Sequence, residues 1–327
     1  MLPALLLTAG LGTRLRPLSS MRAKPAVPVA GEPLIRRILR WLSAQGVADA
    51  VLNLHHLPET ICAVVGDGAD LGLRVRYSWE DPVLGSAGGP RHALPLVAAD
   101  RFLVVNGDTL TNLPLIGLVE RHERSGARVT LAVVPNIEPG RYGGVLVGDD
   151  GAVTGFVGRG SHRPSWHFIG VQVVEATAFA GLPDGEPAES INRWYPGLIA
   201  SDPGCIRAVT TRASFSDIGT PADYLATSLA FARAAADEPV VPGSPLSGTR
   251  CEVAPSARLV RTILWDDVTV GEDAALTECI VTDGVRVPAG ARWQRKAVVP
   301  VGRCPAEPGD DVVGDLLLAP IDRTTLP

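Results

Sequence analysis

The stretch Ala4-Leu5-Leu6-Leu7-Thr8-Ala9-Gly10-Leu11-Gly12-Thr13-Arg14-Leu15-Arg16-Pro17, closed by Lys24-Pro25, decides the fold of this chain. The apolar start, Leu2 to Leu7, lacks the basic segment that precedes a signal-peptide core and runs straight into glycines, so Ala4–Thr8 reads as a buried strand. Gly10 and Gly12 let backbone N–H groups approach an anion closely. Arg14 brings a planar fork for two phosphate oxygens, and Lys24 a compact point charge. Lys24 is one of only two lysines among 327 residues, every other basic side chain being arginine. A lysine kept at the end of such a loop marks a place where a guanidinium will not serve. Together these features indicate phosphate handling.

Two familiar phosphate loops are excluded by spacing. Nothing matches G-x-x-x-x-G-K-[ST]. The dinucleotide fingerprint requires a third glycine where Leu15 stands, and no acid follows at the end of a second strand.

Composition narrows the partners. Apolar residues make up 46% of the chain, enough for a sizeable core, while a net charge of −5 argues against a nucleic-acid or membrane surface. Anions must be met locally, and the dense basic cluster beside glycines is Arg14, Arg16, Arg22 and Lys24. Cys62, Cys205, Cys251, Cys279 and Cys304 form no C-x-x-C pair and read as reduced thiols of a cytoplasmic protein. No apolar stretch reaches the length of a membrane span.

Short apolar runs at Ala4–Thr8, Ala50–Leu54, Leu73–Tyr77, Phe102–Val105 and Val129–Val133 alternate with helical patterns at Pro33–Gln45, Pro58–Val65, Pro90–Val97 and Leu115–Ser125. This alternation predicts βαβ units and a Rossmann-like α/β fold with a mixed, mostly parallel sheet and helices on both faces. Tyr142 to Glu175 is richer in strands, and helices return at Ala188–Ala200 and Pro221–Ala236. Beyond a Pro/Gly/Ser-rich segment, apolar residues recur about every six positions: Val253, Leu259, Trp265, Val270, Leu276, Val281, Val287 and Trp293. A period near six predicts a left-handed parallel β-helix. The expected division is a catalytic domain over 1–236, a linker over 237–248 and a β-helix over 249–327.

Leu-Thr-Ala-Gly-Leu-Gly-Thr-Arg-Leu-Arg-Pro-Leu followed by Lys-Pro resembles the N-terminal signature of the nucleoside-diphosphate-sugar pyrophosphorylases, the sugar-1-phosphate nucleotidyltransferases. The resemblance continues through Pro28 to Leu34, Leu84 to Gly89, Asn106-Gly107-Asp108 and Ser216 to Thr220, covering about residues 1–236. The added β-helix is similar to the C-terminal part of mannose-1-phosphate guanylyltransferases. The resemblance implies transfer of a nucleotidyl group from an NTP to a sugar-1-phosphate, with GTP and mannose-1-phosphate or a heptose relative foremost. UTP or dTTP chemistry is the alternative, and a regulatory paralogue without turnover is a reading of another class. It implies Arg14 and Lys24 as catalytic residues, and Ala9, Gly10, Gly12, Thr13, Gly85, Gly88, Asn106 and Gly107 as the nucleotide site, with backbone near Gly88 reading the base edge. It further implies Asp108 and Asp217 as ligands of Mg2+, and a homo-oligomer.

For the sugar phosphate, the resemblance implies Tyr142, Gly143, Glu189 and Asn192. Relatives carry a lysine in a Glu-Lys-Pro string where this chain has Phe156-Val157-Gly158-Arg159-Gly160, so Arg159 is the expected substitute. On residue chemistry alone, Asp217 reads as a turn or N-cap residue; Glu189 reads equally as a first-turn acid, and Gly85–Gly89 equally as a loop. His55, His56, His162 and His167 lack partners at metal-ligand spacing and read as polar surface.

Overall fold

The computed structural model describes residues 1–232 and 240–322; the ends of the helix expected to reach Ala236 and of the C-terminal tail lie outside them. The chain forms two compact units whose segments interleave. One comprises Met1–Gly10, Arg36–Pro58 and Val65–Ser216, the other Leu11–Ile35, Glu59–Val64 and Asp217–Pro327.

The first unit is built on a nine-stranded mixed sheet. Its strands are β1 (Ala4–Leu7), β2 (Asp49–Leu54), β3 (Arg74–Trp79), β4 (Arg101–Asn106), β5 (Val129–Pro135), β6 (Gly144–Val147), β7 (Val153–Val157), β8 (Trp166–Glu175) and β9 (Ile206–Thr210). They run in the order β7-β6-β8-β4-β1-β2-β3, with β5 paired to β8 and to β9. From β3 to β4 the ladder is parallel, and it turns antiparallel at β8. In β1 the residues Ala4, Leu5 and Leu6 are fully buried, as are Phe102 and Leu103 of β4, which is what central parallel strands covered on both faces require. In register, Leu7 lies beside Asn106, so β1 and β4 deliver Thr8–Gly10 and Gly107–Asp108 from neighbouring carboxyl ends. Open α/β sheets bind ligands at such ends.

The helices are α1 (Leu34–Ala44), α2 (Pro58–Val65), α3 (Gly85–Val97), α4 (Leu115–Ser125), α5 (Tyr195–Ser201) and α6 (Pro221–Ala232). α2 and α4 have the bounds expected from sequence. α3 begins five residues before Pro90, so Gly85–Gly89 is its first turn and not a loop. Ala188–Ala200 splits into a π-helical turn, Ser190–Trp194, and α5. Side chains of Leu5, Phe102, Val104, Ala93, Phe179 and Tyr195 meet in one core, with the rings of Phe102 and Phe179 centred 6.4 Å apart.

α4 also carries a buried histidine. His122 Nδ1 lies 2.8 Å from Thr130 Oγ1 and Nε2 lies 3.1 Å from Glu175 Oε1, an oxygen that also accepts Arg101 Nε. Burial lowers the His122 pKa from 6.5, outweighing the raising pull of Glu175; Arg101 adds to the lowering and Glu123 opposes it. The unfolded chain therefore takes up a proton near pH 6.5 that the folded chain refuses, so stability falls as pH drops through that value. Urea unfolding between about pH 5.5 and 7.5 is expected to show this slope, flattened in His122→Gln. An unchanged slope in that variant would assign it elsewhere.

In the second unit the C-terminal strands coil as a β-helix. Glu252–Val253, Thr269–Val270 and Arg286–Val287 stack in parallel, as do Arg258–Val260, Ala275–Thr277 and Arg292–Gln294. Ile263–Leu264, Ile280–Val281 and Lys296–Pro300 form the third stack. Register partners such as Leu259 and Leu276 are seventeen residues apart, not three sixes, which is why the six-residue pattern slips. Arg250, Asp267 and Gly284 turn one corner with φ of 54°, 59° and 70°, and Arg261, Glu278 and Arg295 turn another with 48°, 53° and 51°. Along the second corner Glu278 is paired with both Arg261 and Arg295, and Arg295 with Asp322. Leu316–Pro320 pairs antiparallel with Lys296–Pro300 and closes the last turn. The tail gave no sequence signal for this cap.

Candidate active site

In the first unit, β1 is followed by Thr8 and Ala9, both buried, and Gly10, which is exposed. The N–H groups of Thr8 and Ala9 donate to Asn53 Oδ1 at 2.5 and 3.2 Å. Asn53 Nδ2 donates to Glu80 Oε1 at 2.7 Å, and Glu80 Oε2 accepts the Leu84 N–H at 2.8 Å. A buried polar chain therefore fixes the start of the glycine loop and the approach to α3 together. No motif singles out Asn53 or Glu80; the available signal is a lone amide inside the apolar run Val51-Leu52-Asn53-Leu54.

At the end of β4, the Gly107 N–H donates to the Leu7 carbonyl at 3.0 Å. A Cβ on Gly107 would lie 2.7 Å from that same oxygen, so only glycine lets the two strand ends approach this closely. Asn106 and Asp108 flank it half-buried, and Asp108 Oδ1 accepts the Thr109 hydroxyl at 3.3 Å.

Gly85 starts α3, and the N–H groups of Ala87 and Gly88 both donate to the Ala188 carbonyl, at 2.8 and 3.2 Å. A Cβ on Gly88 would sit 2.5 Å from the Glu186 carbonyl oxygen. This docking explains why a glycine-rich string forms a helical turn. It also commits the Gly88 N–H to the Ala188 carbonyl. Glu189 accepts the Ser86 hydroxyl at 2.8 Å, and Ser86 Oγ in turn accepts the Ser190 N–H at 2.9 Å.

A cavity of about 820 Å³ opens beside β6 and β7, and its lining includes Gly143, Arg159, His167 and Asn192. Three of the five expected sugar-phosphate residues thus share one space. Tyr142 stands behind it, its ring 4.1 Å from that of His167, and Glu189 is tied to α3.

In the second unit, Gly12 adopts φ +61°, and a Cβ there would lie 3.0 Å from Ser19 Cβ and 3.4 Å from Lys24 Cβ. Its carbonyl accepts the Ser19 hydroxyl at 2.8 Å, folding the loop back on itself. Thr13 and Arg14 are exposed on a short 3-10 turn, whereas Lys24 is buried in another. Arg22 does not belong to the anion-facing cluster. It donates to Asp283 at 2.8 and 2.5 Å and to Asp266 at 2.6 Å, with its guanidinium 5.2 Å from the Trp265 ring centre. These partners are more than 240 residues away in sequence, which no local pattern reveals.

A Cβ on Gly219 would lie 3.4 Å from Arg14 Nη1, 3.4 Å from Asp217 Oδ2 and 3.1 Å from Asp223 Oδ2. Arg14 and Asp217 therefore converge on one point. The cap of α6 is a reciprocal pair, with Thr220 N–H donating to Asp223 Oδ2 and Asp223 N–H to Thr220 Oγ1. Capping is thus supplied without Asp217. Among the described residues no three His, Cys, Asp or Glu side chains gather to hold a metal.

Residues 3–233 match the family model described as Nucleotidyl transferase. The chain belongs to that family. It is 30% identical over 297 residues to a mannose-1-phosphate guanylyltransferase of Mycobacterium tuberculosis, covering 89% of this chain and 83% of that one. It is 30% identical over 230 residues to the D-glycero-alpha-D-manno-heptose 1-phosphate guanylyltransferase of Aneurinibacillus thermoaerophilus, covering 68% and 94%. Among solved structures, HddC from Yersinia pseudotuberculosis complexed with GMP-PN superposes with a TM-score of 0.62 at 26% identity, over 71% of this chain and all of that one.

Proposed function

We propose that this protein transfers a nucleotidyl group from an NTP to a sugar-1-phosphate, giving an NDP-sugar and pyrophosphate, with GTP and a manno-configured hexose or heptose phosphate as substrates. The observation that carries this reading is the convergence of Arg14 and Asp217 on Gly219, in a unit whose glycine loop also holds Lys24. Membership in the nucleotidyl transferase family and the two guanylyltransferase relatives support it.

The sugar phosphate attacks the α-phosphorus in line through an oxygen that is already ionised, so no side-chain nucleophile is needed. Catalysis then consists of positioning and charge stabilisation. Gly10 and Gly12 admit the triphosphate close to the backbone, Arg14 forks its oxygens, and Lys24 faces the charge that builds on transfer. Arg159 holds the sugar phosphate in the cavity beside β7.

Asp108 and Asp217 would hold Mg2+. Each carboxylate is half-exposed and a hard oxygen donor, the chemistry Mg2+ takes from a protein while it keeps waters. When bound, it neutralises phosphate charge in the transition state. We assign the chemistry to residues 1–236 and a supporting and self-associating role to the β-helix at 249–327.

Pyrophosphate release with Mg2+ across a panel of NTPs and sugar-1-phosphates tests this. Release with GTP and a manno-configured sugar phosphate is expected; release with UTP or dTTP would reassign the base. Nucleotide binding without release from any pair would point to a regulatory paralogue, for which the missing lysine around Arg159 would be the cause.

A further inference from the structure

The cavity beside β6 and β7 holds one residue to which no motif gave a role. We infer that His167 accepts a hydrogen bond from a hydroxyl of the bound sugar and so determines which sugar phosphate the cavity takes; this rests on the transfer reading above.

The lining carries no carboxylate acceptor. Arg159 is its sole fixed charge, and no aspartate or glutamate is among the lining residues. A guanidinium donates only, which suits the phosphate and leaves the sugar hydroxyls to neutral acceptors. The side chains able to accept are His167, Asn192 and Thr154, whose hydroxyl donates to the Leu146 carbonyl at 3.3 Å and keeps its lone pairs; of the three, His167 is the one held by ring contacts.

The ring of His167 is held in place before any sugar arrives. Its centre lies 4.1 Å from that of Tyr142 and 4.9 Å from that of Phe215, and the Arg141 guanidinium stands 5.0 Å from the Tyr142 ring. The backbone of Gly143, another residue of the lining, stands beside the ring. Burial lowers the His167 pKa below 6.5; the Gly143 backbone opposes this and the Arg141 charge adds to it. The imidazole is therefore neutral at pH 7, and a neutral ring keeps one nitrogen with a bare lone pair. A neutral ring fixed as an acceptor, in a cavity whose cation takes the phosphate, selects for a hydroxyl as its donor.

The test compares kcat/KM for the accepted sugar-1-phosphate and its monodeoxy and monofluoro analogues at saturating NTP, in wild type, His167→Phe and His167→Gln. In wild type, one deoxy and one fluoro position are expected to cost about tenfold or more, the size of a lost hydrogen bond in a buried site. His167→Phe keeps the ring packing and is expected to abolish that one penalty, while His167→Gln restores part of it. Equal penalties in wild type and His167→Phe would overturn the inference, as would a loss spread evenly over all analogues. Calorimetric binding of the same compounds reads the same pattern without turnover. Absence of transfer and absence of His167 selectivity are therefore separate results.

Discussion

Replacing Lys24 by arginine is expected to lower kcat by about tenfold or more, although charge is conserved. Lys24 is 9% exposed and sits in a 3-10 turn, Lys24–Ala26, folded against Gly12. The Ala23 N–H just before it donates to Thr60 Oγ1 at 3.0 Å, which fixes where the side chain starts. A guanidinium is wider and planar, and its charge is spread over a fork, so it cannot bring a point charge to the same place. The change should fall on kcat more than on NTP KM, because the charge is placed for the transition state. Steady-state kinetics with a thermal melt as a folding control checks this. Turnover like that of wild type would remove Lys24 from the chemistry.

The second large effect is expected from a residue two positions earlier. Arg22→Ala leaves Asp266 and Asp283 facing each other without their shared cation, and such breaks in partly buried pairs cost about 2–4 kcal/mol. The same substitution frees the Trp265 face, whose Nε1 donates to Tyr224 Oη at 2.9 Å, while Tyr224 Oη donates to the Pro28 carbonyl at 2.5 Å. The segment from Arg22 to Pro28, with Lys24 inside it, is thus tied to the β-helix at both ends. Urea unfolding is expected to show the loss in stability, and kcat should fall with it; Arg22→Lys should be intermediate, since an ammonium lacks the planar fork that grips both oxygens of Asp283. Asp266 supplies a pH signature. Burial alone would raise its pKa, but the bonds from Arg22 and Thr249 outweigh that and hold it below 3.8. A carboxylate lowered on folding stabilises above its unfolded value, and that contribution is lost as pH falls below 3.8. Arg22→Ala should remove this part of the acid dependence. An acid profile unchanged from wild type would show that the pair does not anchor the segment.

What could be read from the chain was what is local and periodic. Pro58–Val65 and Leu115–Ser125 carry their own helix signals, and the β-helix announced itself by its apolar period even though its turn is seventeen residues. Gly85–Gly89 misled because three glycines within five residues look like a loop until the carbonyls of Glu186 and Ala188 are packed against them. Arg22 looked like part of a phosphate cluster because its acidic partners lie in another part of the chain. Asn53 and Glu80 were invisible for the same reason, as a pair made only when β2 and β3 align. His167 acquired meaning only through the Gly143 backbone, the rings around it and the cavity it lines. Asp217 was the reverse case: residue chemistry favoured a turn or cap, the metal role being what the resemblance implied, and the Thr220–Asp223 pair accounts for the cap.

The most direct measurement follows the α-phosphate itself. With GTP labelled at the α-phosphorus, mannose-1-phosphate or its heptose relative and Mg2+, the label should appear in an NDP-sugar, with one pyrophosphate released for each label transferred. Label that stays in GTP with every sugar phosphate offered, or that is released as GMP with no sugar attached, would contradict nucleotidyl transfer as the activity of this protein.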